Sequence, residues 1–143
     1  MKLILTFLFV CGLIISNTEA NDLVDKVTKL AQECKGSTGA SDADYENLLN
    51  YQAPNTDKGK CLTECVLKKS GALGENNKIN EAVMVEFIKA GAAGDASIEK
   101  IGMEGLQACL KVPQHPNACE NAAALNACFT KNLRAKGFKG LPA

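Results

Sequence analysis

The chain has 143 residues with sixteen basic and sixteen acidic side chains, so no net charge favours a nucleic-acid backbone or an anionic membrane surface. Tryptophan is absent and aromatic residues make up 5% of the chain, so an apolar interior must be mainly aliphatic. The length suits one domain of about 100–200 residues rather than several, and no repeat, low-complexity tract or linker divides it.

Residues 1–20 read as an export signal. Lys2 gives a positive start, Leu3 to Ile15 form an uncharged and mostly apolar run, and Thr18-Glu19-Ala20 supplies a small-x-small cleavage site. A membrane span needs about 20 apolar residues, and this run is too short. Cleavage before Asn21 would remove Cys11 and leave one domain, residues 21–143, with balanced charge and six cysteines.

The rest of the chain carries helical spacing. Leu23, Val24, Val27, Leu30, Ala31 and Cys34 share one face of a first helix opened by Asn21 or Asp22. Ser41-Asp42-Ala43-Asp44 resembles a capping box for a second helix bearing Tyr45, Leu48 and Leu49, with Pro54 to stop it. Asp57 is the expected cap of a third, carrying Cys61, Leu62, Cys65 and Val66 and ending at Gly71. A fourth runs from Asn80 to Gly91, with Val83, Met84, Phe87 and Ile88 on its face.

Asp95 or Ser97 begins the fifth, with Ile98, Ile101, Leu106, Cys109 and Leu110 on one side. Gly102 and Gly105 within it each cost about 1 kcal/mol relative to alanine, which points to close helix contact. Pro113 and Pro116 bracket a tight connection, and Asn117 with Glu120 forms another capping box. The sixth helix carries Cys119, Ala122, Leu125, Cys128, Phe129 and Leu133 and closes at Gly137. No stretch alternates at period two, so the fold class is all-α: a compact six-helix bundle.

The six cysteines are separated by 26, 3, 43, 9 and 8 residues, and an even set in an exported chain reads as a disulfide framework. Cys61 and Cys65 sit one helical turn apart, about 5–6 Å between Cβ atoms, beyond the reach of a disulfide. Cys119 and Cys128 lie over about 13 Å apart along one helix. Ten of the fifteen possible pairings survive these exclusions. In eight of the ten, helix three is tied to two other segments, and so is helix six; in the other two, both bridges run between helices three and six.

A zinc reading of the same cysteines fails for want of ligands. C-x3-C offers two, but the chain has one histidine and no second tight cysteine pair, so no metal or cofactor is expected. Enzyme signatures are missing as well. There is no nucleophile elbow and no H-E-x-x-H, and His115 stands between Gln114 and Pro116 without the adjacent aspartate of a secreted phospholipase. A membrane-disrupting protein of the saposin kind would carry a different cysteine ladder and usually a charged, membrane-seeking face.

The signal segment, the six helices and the cysteine ladder together resemble the insect odorant-binding protein family. Its specific marks are the three- and eight-residue gaps and the segment Gly59-Lys60-Cys61-Leu62-Thr63-Glu64-Cys65, which is similar to that family's third helix. The resemblance implies bridges Cys34–Cys65, Cys61–Cys119 and Cys109–Cys128, a pairing among the ten survivors. It implies an apolar cavity that carries small hydrophobic ligands (odorants, pheromones or lipid-like molecules) through extracellular fluid, and an indirect partner in a membrane odorant receptor. It also covers non-sensory carriers of hormones or lipids in reproductive, salivary or body fluids, as a monomer or weak homodimer.

On that reading, the expected cavity wall is Val66, Leu73, Val83, Met84, Phe87, Ile88, Leu106, Leu110, Phe129 and Leu133. Tyr51 and Thr63 are the expected polar handles. Phe138 and Leu141 lie in a tail that Gly137 and Gly140 would allow to fold over the pocket. His115 is the sole histidine and the one side chain that titrates near neutrality when unperturbed. It reads as an exposed loop residue, the alternative being a switch that releases ligand in acid.

Overall fold

The computed structural model describes residues 21–139, so the leader, Gly140 and Leu141 lie outside the described residues. Six helices appear in chain order: α1 at 21–38, α2 at Asp42–Leu49, α3 at Asp57–Lys69, α4 at Glu81–Ala92, α5 at Ala96–Cys109 and α6 at Ala118–Ala135. Among the described residues the one β pairing is an isolated antiparallel bridge, Leu73 to Ile79, in the loop before α4.

Local chemistry sets most of the boundaries. Asn21 and Asp22 are already helical, so neither caps α1. Ser41 and Asp44 form a reciprocal capping box at α2. The cap of α3 is Thr56, whose extended backbone lets its hydroxyl accept from Gly59 N at 2.9 Å. Asp57 falls instead in the first turn, where its charge suits the helix dipole. Gly91 does not stop α4. The helix runs on to Ala92 and ends where Ala93 takes a left-handed φ of 48°.

Asp95 caps α5 by accepting from the amides of Ser97 and Ile98. The expected box at α6 is only half built. Asn117 accepts from Glu120 N at 3.0 Å, but the Glu120 carboxylate turns away to pair with Lys60 of α3 at 2.9 Å. Asn117 N donates to His115 Nδ1 instead. A tertiary ion pair has displaced the local hydrogen bond.

Three disulfides fasten the helices. Cys34–Cys65 joins α1 to α3, Cys61–Cys119 joins α3 to α6, and Cys109–Cys128 joins α5 to α6, with Cα separations of 5.8, 4.5 and 5.8 Å. Each such bridge typically stabilises by about 2–4 kcal/mol, largely by restricting the unfolded chain. Among α2 to α6, α3 and α6 also share the most extensive interface. Around the first bridge Ala31, Cys34, Ala40, Leu62 and Val66 form a buried cluster, with Tyr45, Leu48 and Leu49 packed against it.

α2 contains no cysteine and is held to α3 through Asp44. The Asp44 carboxylate accepts from Ser41 N, from the Ser41 hydroxyl and, at 2.5 Å, from the Thr56 hydroxyl. The Thr56 and Ser41 bonds hold this carboxyl below the usual carboxylate range. Its contribution to stability is therefore present above the unfolded value, near about 3.9, and is lost as pH falls through the lower folded one.

Gly59 lies against this network. A Cβ there would stand 2.8 Å from Asp44 Oδ1 and 2.9 Å from Thr56 Oγ1. Gly59→Ala should therefore destabilise the protein by about 1–3 kcal/mol, against the gain of about 1 kcal/mol that Gly→Ala brings in an unobstructed helix. Urea midpoints of the two proteins check the sign.

Candidate functional site

Where the helices fail to close on one another they leave a partly open, mostly apolar hollow of about 440 Å³. All six contribute to it. α1 supplies Leu23, Val24 and Val27, α2 supplies Leu48 and Leu49, and α3 supplies Val66 and Leu67. Met84, Phe87 and Ile88 line it from α4, Ile98 and Gly102 from α5, and Phe129 and Leu133 from α6. A second hollow of about 60 Å³ lies beside it and shares Leu67, Met84, Asn126 and Phe129 as common wall.

The chain after α6 covers part of the larger hollow. Gly137 takes a left-handed φ of 87° and turns the tail back, and Phe138 N donates to Leu133 O at 3.1 Å. The Phe138 ring meets Tyr51 edge to face with centroids 5.8 Å apart. Arg134 adds hydrogen bonds to the carbonyls of Asn50 and Tyr51, at 3.3 and 3.1 Å, tying the end of α6 to the end of α2. Phe138 and Lys139 thereby become wall residues.

Eight of the residues singled out from the sequence border this hollow: Val66, Met84, Phe87, Ile88, Phe129, Leu133, Tyr51 and Phe138. Five do not. Leu73 and Leu106 are buried beside the smaller hollow. The Val83 methyls pack over Gly71 on another face of α4. Leu110, just past the last turn of α5, borders neither hollow. Thr63 is 1% exposed, and its hydroxyl donates back to Gly59 O within α3, so it cannot serve as a polar handle.

Other wall residues escaped the sequence reading. Leu23, Val27, Leu48, Leu49 and Ile98 show the apolar spacing of a buried face, but spacing does not separate a face on solid core from one on a void. Gly102 sits where α5 meets α4, and a Cβ there would stand 2.6 Å from Ile88 Cγ2. Thr130 and Ser70 also line the wall, yet both hydroxyls donate to carbonyls of their own helices. Polar residues thus leave an apolar surface.

Few charges reach this wall. Burial pushes the Tyr51 phenol up to about 12, and Lys139 is exposed in the tail. His115 is exposed and borders neither hollow. Among the described residues no group of three or more His, Cys, Asp and Glu side chains gathers to hold a metal ion. None of the described helices is long and apolar enough to cross a membrane.

The PBP/GOBP family model matches residues 16–132. The chain belongs to the PBP/GOBP family. Among its relatives is general odorant-binding protein 19d of Drosophila melanogaster, 31% identical over 115 residues, which cover 80% of this chain and 77% of that protein. General odorant-binding protein 28a of the same organism is 29% identical over 120 residues, covering 84% of each. The solved structure of odorant-binding protein dmelOBP28a from Drosophila melanogaster superposes with a TM-score of 0.74 at 31% identity, covering 84% of this chain and 98% of that one. The six-helix, three-disulfide architecture is therefore that of an odorant-binding protein.

Two expectations follow from the wall. Gly102→Ala should push Ile88 into the hollow, costing about 1–3 kcal/mol by overpacking and weakening uptake of bulky apolar guests more than slender ones. Denaturant midpoints and probe affinity together read both effects. Tyr51 contributes stability that is intact below the unfolded tyrosine value of about 10 and is lost as pH rises through its folded value. Tyr51→Phe should flatten that alkaline decline, seen as a shallower fall in urea midpoint between about pH 9 and 12.

Proposed function

We propose that this protein is a secreted carrier that takes a small hydrophobic molecule into the hollow between its six helices. The observation that carries the proposal is the hollow itself: about 440 Å³ with a largely aliphatic wall drawn from every helix, within the usual range of about 300–1,000 Å³ for small-molecule sites. The names of the Drosophila relatives support odorants as the ligand class. In this reading residues 1–20 direct export and are removed, and Val66, Met84, Phe87, Ile88, Phe129, Leu133, Tyr51 and Phe138 touch the guest. Delivery toward a membrane odorant receptor, by a monomer or weak homodimer, belongs to the same proposal, as does binding without catalysis. A non-sensory carrier of hormones or lipids would use the same site.

The physical drive is removal of the ligand from water. Burying about 350 Å² of apolar surface is worth roughly 9 kcal/mol before association costs. A net affinity near micromolar, about −8 kcal/mol, is then the generous end of the range. Cavity shape and one or two polar groups must supply selectivity.

With no tryptophan in the chain, binding is best followed with an extrinsic apolar fluorophore. Alcohols, aldehydes, terpenes and fatty acids should differ in their power to displace it, the best acting at micromolar concentration. Failure of every compound to displace the probe from protein with intact helical circular dichroism would overturn the carrier reading.

A further inference from the structure

We propose that Asn126 is the polar anchor of the hollow and that it selects neutral ligands bearing a carbonyl oxygen, such as ketones, aldehydes and esters, over hydrocarbons and carboxylates. This inference rests on the carrier reading and adds a ligand class to it. Asn126 lies in the middle of α6 and borders both the larger hollow and the smaller one beside it. Its side-chain nitrogen is buried and has no acceptor. Among the described residues the other buried side-chain atom in that state is Asn77 Oδ1, and Asn77 borders neither hollow.

A buried donor without an acceptor costs the fold free energy that a partner would restore. No neighbouring hydroxyl oxygen or carbonyl accepts from it, since the nitrogen has no hydrogen-bond partner of any kind. A water is a poor substitute. It needs two to four polar partners, and Asn126 is the one polar side chain bordering the smaller hollow apart from disulfide-bonded Cys109. The oxygen of a ligand carbonyl needs only the single donor.

The remaining wall chemistry narrows the class. A carboxylate would have to be buried beside a cation, and the cationic wall residue is Lys139, exposed in the tail. A hydrocarbon fits the aliphatic wall but leaves the Asn126 nitrogen unpartnered. The nitrogen is closed off from the hollow as it stands, and rotation about the broad asparagine amide torsion would turn the N–H toward it. The ligand head then sits at the junction of the two hollows, near Leu67, Met84 and Phe129, with its tail along the larger one.

The test compares methyl nonyl ketone, undecane and undecanoate as displacers of N-phenylnaphthylamine from wild type, Asn126→Leu and Asn126→Asp. Wild type should prefer the ketone. Either substitution should weaken the ketone about fivefold, the effect of one neutral hydrogen bond, and Asn126→Leu should leave undecane unchanged. Infrared spectra of the bound ketone give a second reading that needs no variant: its carbonyl stretch should lie below that in an alkane solvent. An unshifted stretch, equal losses for ketone and undecane, or a wild-type preference for undecanoate would overturn the anchor while leaving the carrier reading standing. Ketone that fails to bind while undecane displaces the probe would likewise overturn the anchor alone, whereas wild type that took up neither the probe nor any of the three would bring down the carrier reading and the anchor with it.

Discussion

Two helices, α3 and α6, are each bound covalently to two partners, and that constraint allows the interior to stay partly unfilled. In an uncrosslinked bundle of this size the helices would have to hold one another through dense side-chain packing, and any void would be a direct loss of contact energy. Here the Cys34–Cys65, Cys61–Cys119 and Cys109–Cys128 bridges join α1, α3, α5 and α6 into one frame. Because they act largely on the unfolded chain, they stabilise without demanding that the space between helices be occupied.

The two helices outside that frame furnish much of the wall. α2 is attached through the Asp44–Thr56 hydrogen bond and the buried cluster around Leu62, and α4 through the Ile88–Gly102 contact and the Lys26–Phe87 cation–π pair at 5.9 Å. These are weaker attachments than covalent bonds. They place Leu48, Leu49, Met84, Phe87 and Ile88 on the parts of the wall best able to adjust to a guest. Met84 suits that position, since its flexible thioether adapts to irregular shapes.

The polar side chains show how far local and tertiary chemistry compete. Ser41 and Asp44 make the reciprocal box their spacing implies, while Glu120 gives up the same role at α6 to pair with Lys60. Thr63, Ser70 and Thr130 return their hydroxyls to the helix backbone, so residues that look like ligand contacts on a helical wheel behave as apolar surface. Asn126 differs because nothing around it completes its hydrogen bonding. No spacing rule distinguishes it from the asparagines that cap helices, such as Asn80 and Asn117.

Helix number and most boundaries were legible from periodicity and caps, because these depend on residues three or four apart. So was the exclusion of any bridge within α3 or within α6, which follows from rise per residue and bond length alone. The stop of α4 was not, because the choice of Ala93 over Gly91 depends on where the chain must turn toward α5. Nor could spacing tell Met84 from Val83, or Leu133 from Leu110, since each pair is equally apolar. Which of them faces empty space depends on how helices distant in sequence cross, and that is decided only when all six are assembled.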